Sequence, residues 1–275
     1  MKKKNNIGLD IFLIVLLYFV IQTFCSFAIV GIDLAINFDQ LKEFMQGEGN
    51  KNDIMAFARQ QLDSLLGIIL VVASVLTILV IALLKKVNLR HEFSFNDCKW
   101  KYAPYVFLAF LIGTFACNIL EENLNLPNLI QDQLVDMSHD ILGILAVAVI
   151  GPVAEEVIFR GAICGGMLRA GCKPWTAILV SAVIFGLVHM NPAQIPFAAA
   201  LGVMFAIIYY KTNSIIPSAI LHIINNSFAC YLMIEYADQP DITFTEMLGQ
   251  TTAIIIMIAG LAISVLMYIK YWKTR

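Results

Sequence analysis

Long apolar runs separated by short polar segments dominate the chain. They fall at Ile11 to Ile36, 65–84, 103–120, 141–168, 175–190, 194–210, 214–235 and 248–269. A helix needs about 20 apolar residues to cross the hydrocarbon core of a bilayer, and most of these runs meet that length. The pattern predicts an all-α, polytopic membrane bundle of about eight transmembrane helices. The run ending near His189 is short, and Pro192 and Pro196 interrupt the chain just after it. The first run follows Lys2, Lys3 and Lys4, as a signal peptide would, but it is longer than the roughly 7–15 apolar residues of one. It reads as a first transmembrane helix. The connector 37–64 mixes charge with spaced apolar residues (Leu41, Phe44, Met45, Ile54, Met55, Phe57). It is either a pair of short interfacial helices or a solvated loop.

Composition agrees with the pattern. Of 275 residues, 60% are apolar and 14% charged, against about 25% charged in a soluble domain. The mean hydropathy is +0.80. That excludes an ordinary water-soluble enzyme, a disordered chain and a nucleic-acid binder. The net charge of −2 says little, because the charges are segregated. Lys2–Lys4, Lys85, Lys86, Arg90, Lys99, Lys101, Arg169, Lys173, Lys211, Lys270, Lys273 and Arg275 make 14 of the 18 basic residues, and all fall in alternate connectors or at the termini. The other connectors hold only Lys42, Lys51 and Arg59, all within 37–64, while 121–140 and 236–247 carry acids and no Lys or Arg. Basic residues concentrate on the cytoplasmic side of membrane proteins. Both termini are therefore expected in the cytoplasm, and the protein is expected to be a multi-pass protein of the cell membrane. Cys25, Cys117, Cys164 and Cys230 lie in apolar runs and Cys98 and Cys172 in basic loops, with no CxxC pair; they read as reduced thiols.

Three charges do not sit near span ends: Glu155, Glu156 and Arg160, within GPVAEEVIFRGAICGGML. An ionisable side chain at mid-bilayer costs on the order of 3 kcal/mol, and three unpaired ones on the order of 8–10 kcal/mol. Something must offset that cost or function must require it. Glu156 and Arg160, at i and i+4, share a helix face and can pair. Glu155 is rotated from Glu156 by about 100° and lacks Arg160 as a partner. One carboxylate can then be structural while the other is free for proton transfer. A wholly structural triad is the competing reading.

Two of the four histidines, His189 and His222, lie in predicted spans, and Asn226 follows His222 by four residues on the same face. A membrane His beside an Asn is most simply an interhelical hydrogen bond. Two such His together with an intramembrane Glu pair point instead to a site. There is no HExxH, GxSxG, GxGD-type, phosphate-loop or dinucleotide-binding pattern. No internal repeat supports an inverted-repeat transporter that uses the acids and histidines as a proton relay.

In order, Glu155-Glu156-x-x-x-Arg160, Phe185-x-x-x-His189 and His222-x-x-x-Asn226 resemble the three motifs of the CAAX protease and bacteriocin-processing (CPBP, or Abi) family. The resemblance covers about 140 to 230. It implies an intramembrane endopeptidase acting on a hydrophobic or lipidated peptide or protein. Glu155 would activate a water with His189 beside it, His222 and Asn226 would stabilise the oxyanion, and Glu156 and Arg160 would hold the geometry. It implies a metal-free mechanism with no cofactor. Were a metal involved, it would be zinc on Glu155, His189 and His222. Family members also suggest a non-catalytic alternative, a membrane scaffold or bacteriocin self-immunity protein. On this reading the chain divides into spans 1–3 with their loops (1–140), a core of spans 4–7 (141–235) and a last span (236–275), as one membrane domain.

Overall fold

The computed structural model describes residues 6–38, 42, 51–236 and 242–274, with the backbone alone over 51–63. The long helices are α1 (Ile7–Ile36), α2 (Lys51–Leu83), α4 (Ala103–Leu124), α6 (Ile141–Arg169), α7 (Pro174–Leu187), α8 (Gln194–Thr212), α9 (Ile216–Glu235) and α11 (Gln250–Lys273). Short helices α3 (Leu89–Glu92), α5 (Gln131–Ser138) and α10 (Phe244–Leu248) lie between them. No strand occurs among the described residues. The protein is an all-α, integral multi-pass membrane bundle.

Seven of the described helices are long and apolar enough to cross a bilayer, one fewer than the eight apolar runs suggest. The exception is α7, whose 14 residues span about 21 Å of a core about 30 Å thick. The apolar run continues to Met190, but the helix does not. Met190 turns into the left-handed region (φ 52°), two residues before Pro192, which has no N–H with which to continue the helix. Asn191, fully buried, then pins the turn to the segment after α4: its Nδ2 donates to Asn128 Oδ1 at 2.9 Å, and its Oδ1 accepts from Leu129 N at 2.9 Å. Because α8 runs back from this turn, α7 and α8 count as a pair, and the parity of the termini does not depend on how far α7 reaches. The connector 37–64 also differs from expectation. Its backbone is helical from Lys51 as the start of α2, while Leu41, Phe44 and Met45 lie outside the described residues.

Contacts sort the connectors into two ends. At the basic end, Lys86 Nζ donates to Asp10 Oδ1 (2.7 Å), Arg169 donates to the Lys86 carbonyl (3.1 Å), Asn213 bonds Asp97 (3.3 Å), and Lys211 caps the carbonyls of Trp272 and Thr274. At the opposite end, Glu122 accepts from the backbone N–H groups of Phe244 and Thr245 (both 2.9 Å), and Gln250 bonds Asn123 (2.8 Å). These are the two sets of segments that the Lys and Arg distribution separated.

The core lies where α4, α6, α7 and α8 meet. Phe110, Phe159, Phe185 and Phe205 are fully buried there, with Phe110 on Phe205 (5.4 Å between ring centres) and Phe159 edge-on to Phe185 (5.1 Å). Lipid gives apolar side chains no reason to leave it, so small residues that let backbones approach do the packing. Gly202 of α8 meets α7 so closely that a Cβ would lie 2.9 Å from Ala182 Cα. The same α7–α8 pair uses Gly186 in this way.

One titratable group is sunk into the basic end. Glu92 is fully buried, with Oε1 3.4 Å from Arg169 Nη1, and its own carbonyl accepts from Ser214 Oγ and Ile215 N (both 3.0 Å). Burial pushes its carboxyl above the ordinary carboxylate range, and hydrogen bonding from Tyr209 and the charge of Arg169 offset part of that.

Candidate active site

The central helix α6 is not α-helical throughout. Residues Ala146–Ile150 and Glu156–Cys164 are π-helical, a conformation that is rare and concentrates at functional sites. The N–H of Gly151 bonds to Ala146 O, five residues back. In that register the next donor should serve Val147 O, but the next residue is Pro152, which has no N–H. Asn226 of α9 fills the gap, donating Nδ2 to Val147 O at 2.9 Å. Its Oδ1 accepts from Asn225 Nδ2 at 3.1 Å. An amide nitrogen carries two protons, so one remains available to a ligand.

The acids sit at the junction where the second π segment begins, Glu155 just before it and Glu156 its first residue. Glu156 and Arg160 are both fully buried, with Arg160 Nη1 3.2 Å from Glu156 Oε1, the i,i+4 pair read from sequence. The guanidinium of Arg160 is held between rings, its Cζ 4.3 Å from the centre of Phe185 and 5.1 Å from that of Phe205. A desolvated cation over an aromatic face gains about 2 kcal/mol, which helps offset its removal from water. Glu155 is 22% exposed and faces a cavity.

His222, 3% exposed, links the two acids. Its Nδ1 is 3.2 Å from Glu156 Oε1 and its Nε2 is 3.5 Å from Glu155 Oε2. Helix rotation alone would separate consecutive residues, yet one imidazole meets both carboxylates. A neutral imidazole has a single N–H. Both contacts are hydrogen bonds only when the group holds one further proton, as an imidazolium or as a carboxylic acid. With an imidazolium, the set Glu155, Glu156, Arg160 and His222 carries no net charge. Phe205 stacks on His222 (4.8 Å) and Phe185 meets it edge-on (5.7 Å), which fixes the ring plane.

His189 sits just past the end of α7, half-buried. Its Nδ1 is 2.8 Å from the carbonyl of Phe185. A carbonyl accepts, so Nδ1 carries the proton, and Nε2 of the neutral ring carries a lone pair. Glu155, His189, His222 and Asn226 all line one cavity of about 390 Å³. Its other walls include Tyr18 and Gln22 of α1, Ser74 of α2 and Leu134 of α5. A second cavity, about 430 Å³, lies at the basic end between α4, α8 and α9, and no carboxylate or histidine lines it. The site chemistry belongs to the first.

Among the described residues no three His, Cys, Asp or Glu side chains come together as a metal site. Both nitrogens of His222 face carboxylates, while Nδ1 of His189 meets a backbone carbonyl, an orientation that leaves its Nε2 free to act as a base or a ligand.

All six residues singled out from the sequence thus lie in or directly beneath one cavity. Sequence reading missed Phe205, Tyr18, Gln22 and Ser74. Tyr18 and Gln22 carry a usable signal, two polar side chains at i and i+4 in an apolar helix. Phe205 carries none, being one of 18 phenylalanines.

Residues 137–228, about a third of the chain, match the family model described as Type II CAAX prenyl endopeptidase Rce1-like, and that segment contains all six residues. The chain is similar to YdiL of Bacillus subtilis (strain 168), described by name as a membrane peptidase, with 33% identity over 94 residues, 34% of this chain and 38% of that protein. It is also similar to the membrane-embedded CAAX protease MroQ of Staphylococcus aureus (strain USA300), with 34% identity over 90 residues, 31% of this chain and 36% of that one. The matched stretch thus spans well under half the length of either relative. No solved structure matches.

Proposed function

We propose that this chain, whose residues 137–228 form a CPBP-family core, is an intramembrane endopeptidase that hydrolyses a peptide bond in a hydrophobic or lipidated segment. One observation carries the reading. Two consecutive carboxylates share the single imidazole of His222, one sealed against Arg160 and the other facing a cavity. A structural triad would need only the sealed pair. An open carboxylate at membrane depth is costly unless it works.

The reaction follows from the placement. A water in the cavity hydrogen-bonds Glu155 and the Nε2 lone pair of His189. Glu155 takes its proton as the oxygen attacks the substrate carbonyl carbon. Once protonated, Glu155 loosens its hold on His222 Nε2–H. That donor and the second amide proton of Asn226 receive the oxyanion, and preorganised donors of this kind are worth about 3 kcal/mol each. Glu155 then returns the proton to the leaving nitrogen as the C–N bond breaks. Glu156 and Arg160 keep His222 in place. No metal or cofactor enters the scheme, and a chelator should leave turnover unchanged.

The test compares peptide termini, by mass spectrometry, in cells expressing wild type or Glu155→Gln at matched membrane levels. New ends that require Glu155 support the proposal and reveal the substrate. Identical ends in both, under conditions where loss of the protein has a phenotype, reject it in favour of a non-catalytic scaffold or immunity role.

A further inference from the structure

The catalytic cavity has a floor, and the floor faces the basic end. On α9 its wall runs from His222 through Asn225, Asn226, Ala229 and Cys230 to Met233, with nothing from 216–221. On α8 it uses Gln194, Phe197, Ala198 and Leu201 and nothing later; on α7 it begins at Phe185; on α6 it stops at Glu155. Every helix therefore lines it from the level of Glu155 and His222 toward the end away from the lysines and arginines. Beneath that level packed side chains close it, and the cavity at the basic end, which reaches Ile208 and Leu221, shares no lining residue with it. All nine residues of Glu156–Cys164 are buried, and Phe205, Ile208 and Tyr209 of α8 and Ile178 and Ser181 of α7 are at most 2% exposed. In the other direction, among the described residues, the open space continues. A further cavity of about 240 Å³ shares Ala229 and Met233 and reaches Glu122, Gln131 and Phe244 at the opposite end.

The side of the membrane follows from charge. The sealed end gathers ten of the described Lys and Arg residues, those within 85–101, 169–173, 211 and 270–273, which marks it as cytoplasmic. Of the connectors at the open end, 121–140 and 236–247 have acids and neither Lys nor Arg, and 37–64 holds three, Lys42, Lys51 and Arg59. We infer that the catalytic cavity is closed to the cytoplasm and opens to the extracytoplasmic face. Its substrate is then a membrane-associated peptide whose scissile bond lies in the extracytoplasmic half of the bilayer or at that surface. A tail displayed in the cytoplasm has no route to Glu155. The statement about substrate rests on the endopeptidase reading; the statement about access does not.

The two can be tested separately. Ser74→Cys and Ala229→Cys, on facing walls of the cavity, and Arg90→Cys, exposed at the basic end, are made in the full chain. Each is treated in intact and in permeabilised cells with a small, charged, membrane-impermeant methanethiosulfonate. Modification is read over the wild-type background, at matched membrane levels. The expected result is that the cavity cysteines react in intact cells and Arg90→Cys only after permeabilisation. Reaction of the cavity cysteines only after permeabilisation, their failure to react in either condition, or reaction of Arg90→Cys from outside would overturn the inference. Because labelling needs no cleavage, its outcome stands whatever becomes of the protease reading. In the terminus comparison, Glu155-dependent ends in extracytoplasmic or outer-half positions support the substrate class, and ends in cytoplasmic tails overturn it.

Discussion

The guanidinium carbon of Arg160 lies 4.3 Å from the centre of the Phe185 ring, so this buried cation is stacked as well as paired. Removing it strands Glu156, fully buried, without its counter-charge. Arg160→Met should cost about 3–5 kcal/mol, the usual effect of breaking a buried pair from one side. Arg160→Lys should fall between, since an ammonium has no planar face for Phe185 and Phe205. The double variant Arg160→Met, Glu156→Gln should be more stable than Arg160→Met alone. Unfolding in detergent measures all three, and equal losses for the single and double variants would refute the account.

Asn226 serves two masters, the Val147 carbonyl and, in the proposed reaction, the oxyanion. Asn226→Asp removes both amide protons and sets a carboxylate oxygen against Val147 O. Turnover should drop by about 10²–10³-fold, mostly in kcat, once a substrate is in hand. A variant that changes KM alone would place Asn226 in binding and not in oxyanion stabilisation.

Helix contact positions His189. A Cβ on Gly186 would lie 2.7 Å from Ile195 O and 2.9 Å from Ala199 Cβ, and the first of these is backbone that cannot yield. Gly186→Ala should cost about 1–3 kcal/mol and lower activity by shifting the turn that holds His189. Gly31, where a Cβ would meet nothing within 4 Å, is the control: Gly31→Ala should be neutral or stabilise by up to about 1 kcal/mol. Thermal unfolding of the two side by side decides it.

Glu92 gives the bundle a pH dependence. Its folded-state pKa is raised by burial, so the folded protein holds that proton more tightly than the unfolded chain does. The contribution is fully present below the ordinary carboxylate pKa and is lost as pH rises through the raised, folded-state value. Glu92→Gln, which keeps the shape without the charge, should flatten this decline. Melting temperatures in detergent across that interval should fall more steeply for wild type than for the variant.

Much of this was written in the sequence for one physical reason, the cost of the wrong group in a bilayer. Runs of apolar residues mark the spans, and Glu155, Glu156 and Arg160 stand out because ions there need an explanation. Hydropathy could not show where α7 stops. Val188 and Met190 are apolar, while the end is set by backbone geometry before Pro192 and by the burial of Asn191. The sharing of His222 was also out of reach, because it depends on a π-helical register and on a helix 66 residues away. Pro152 was visible, but its meaning, a carbonyl left for Asn226, needs the partner helix in place.

That separation along the chain has a consequence for how the protein is made. α6 is synthesised with Glu155, Glu156 and Arg160 before any of α9 exists. A helix entering lipid with two acids and one base carries an excess negative charge or must borrow a proton. His222, the partner of both carboxylates, arrives only with the penultimate long helix. The half-built chain is therefore the vulnerable species. Union of α6 with α9 is the step that gives both acids their partner, and a product truncated before Ile216 lacks it.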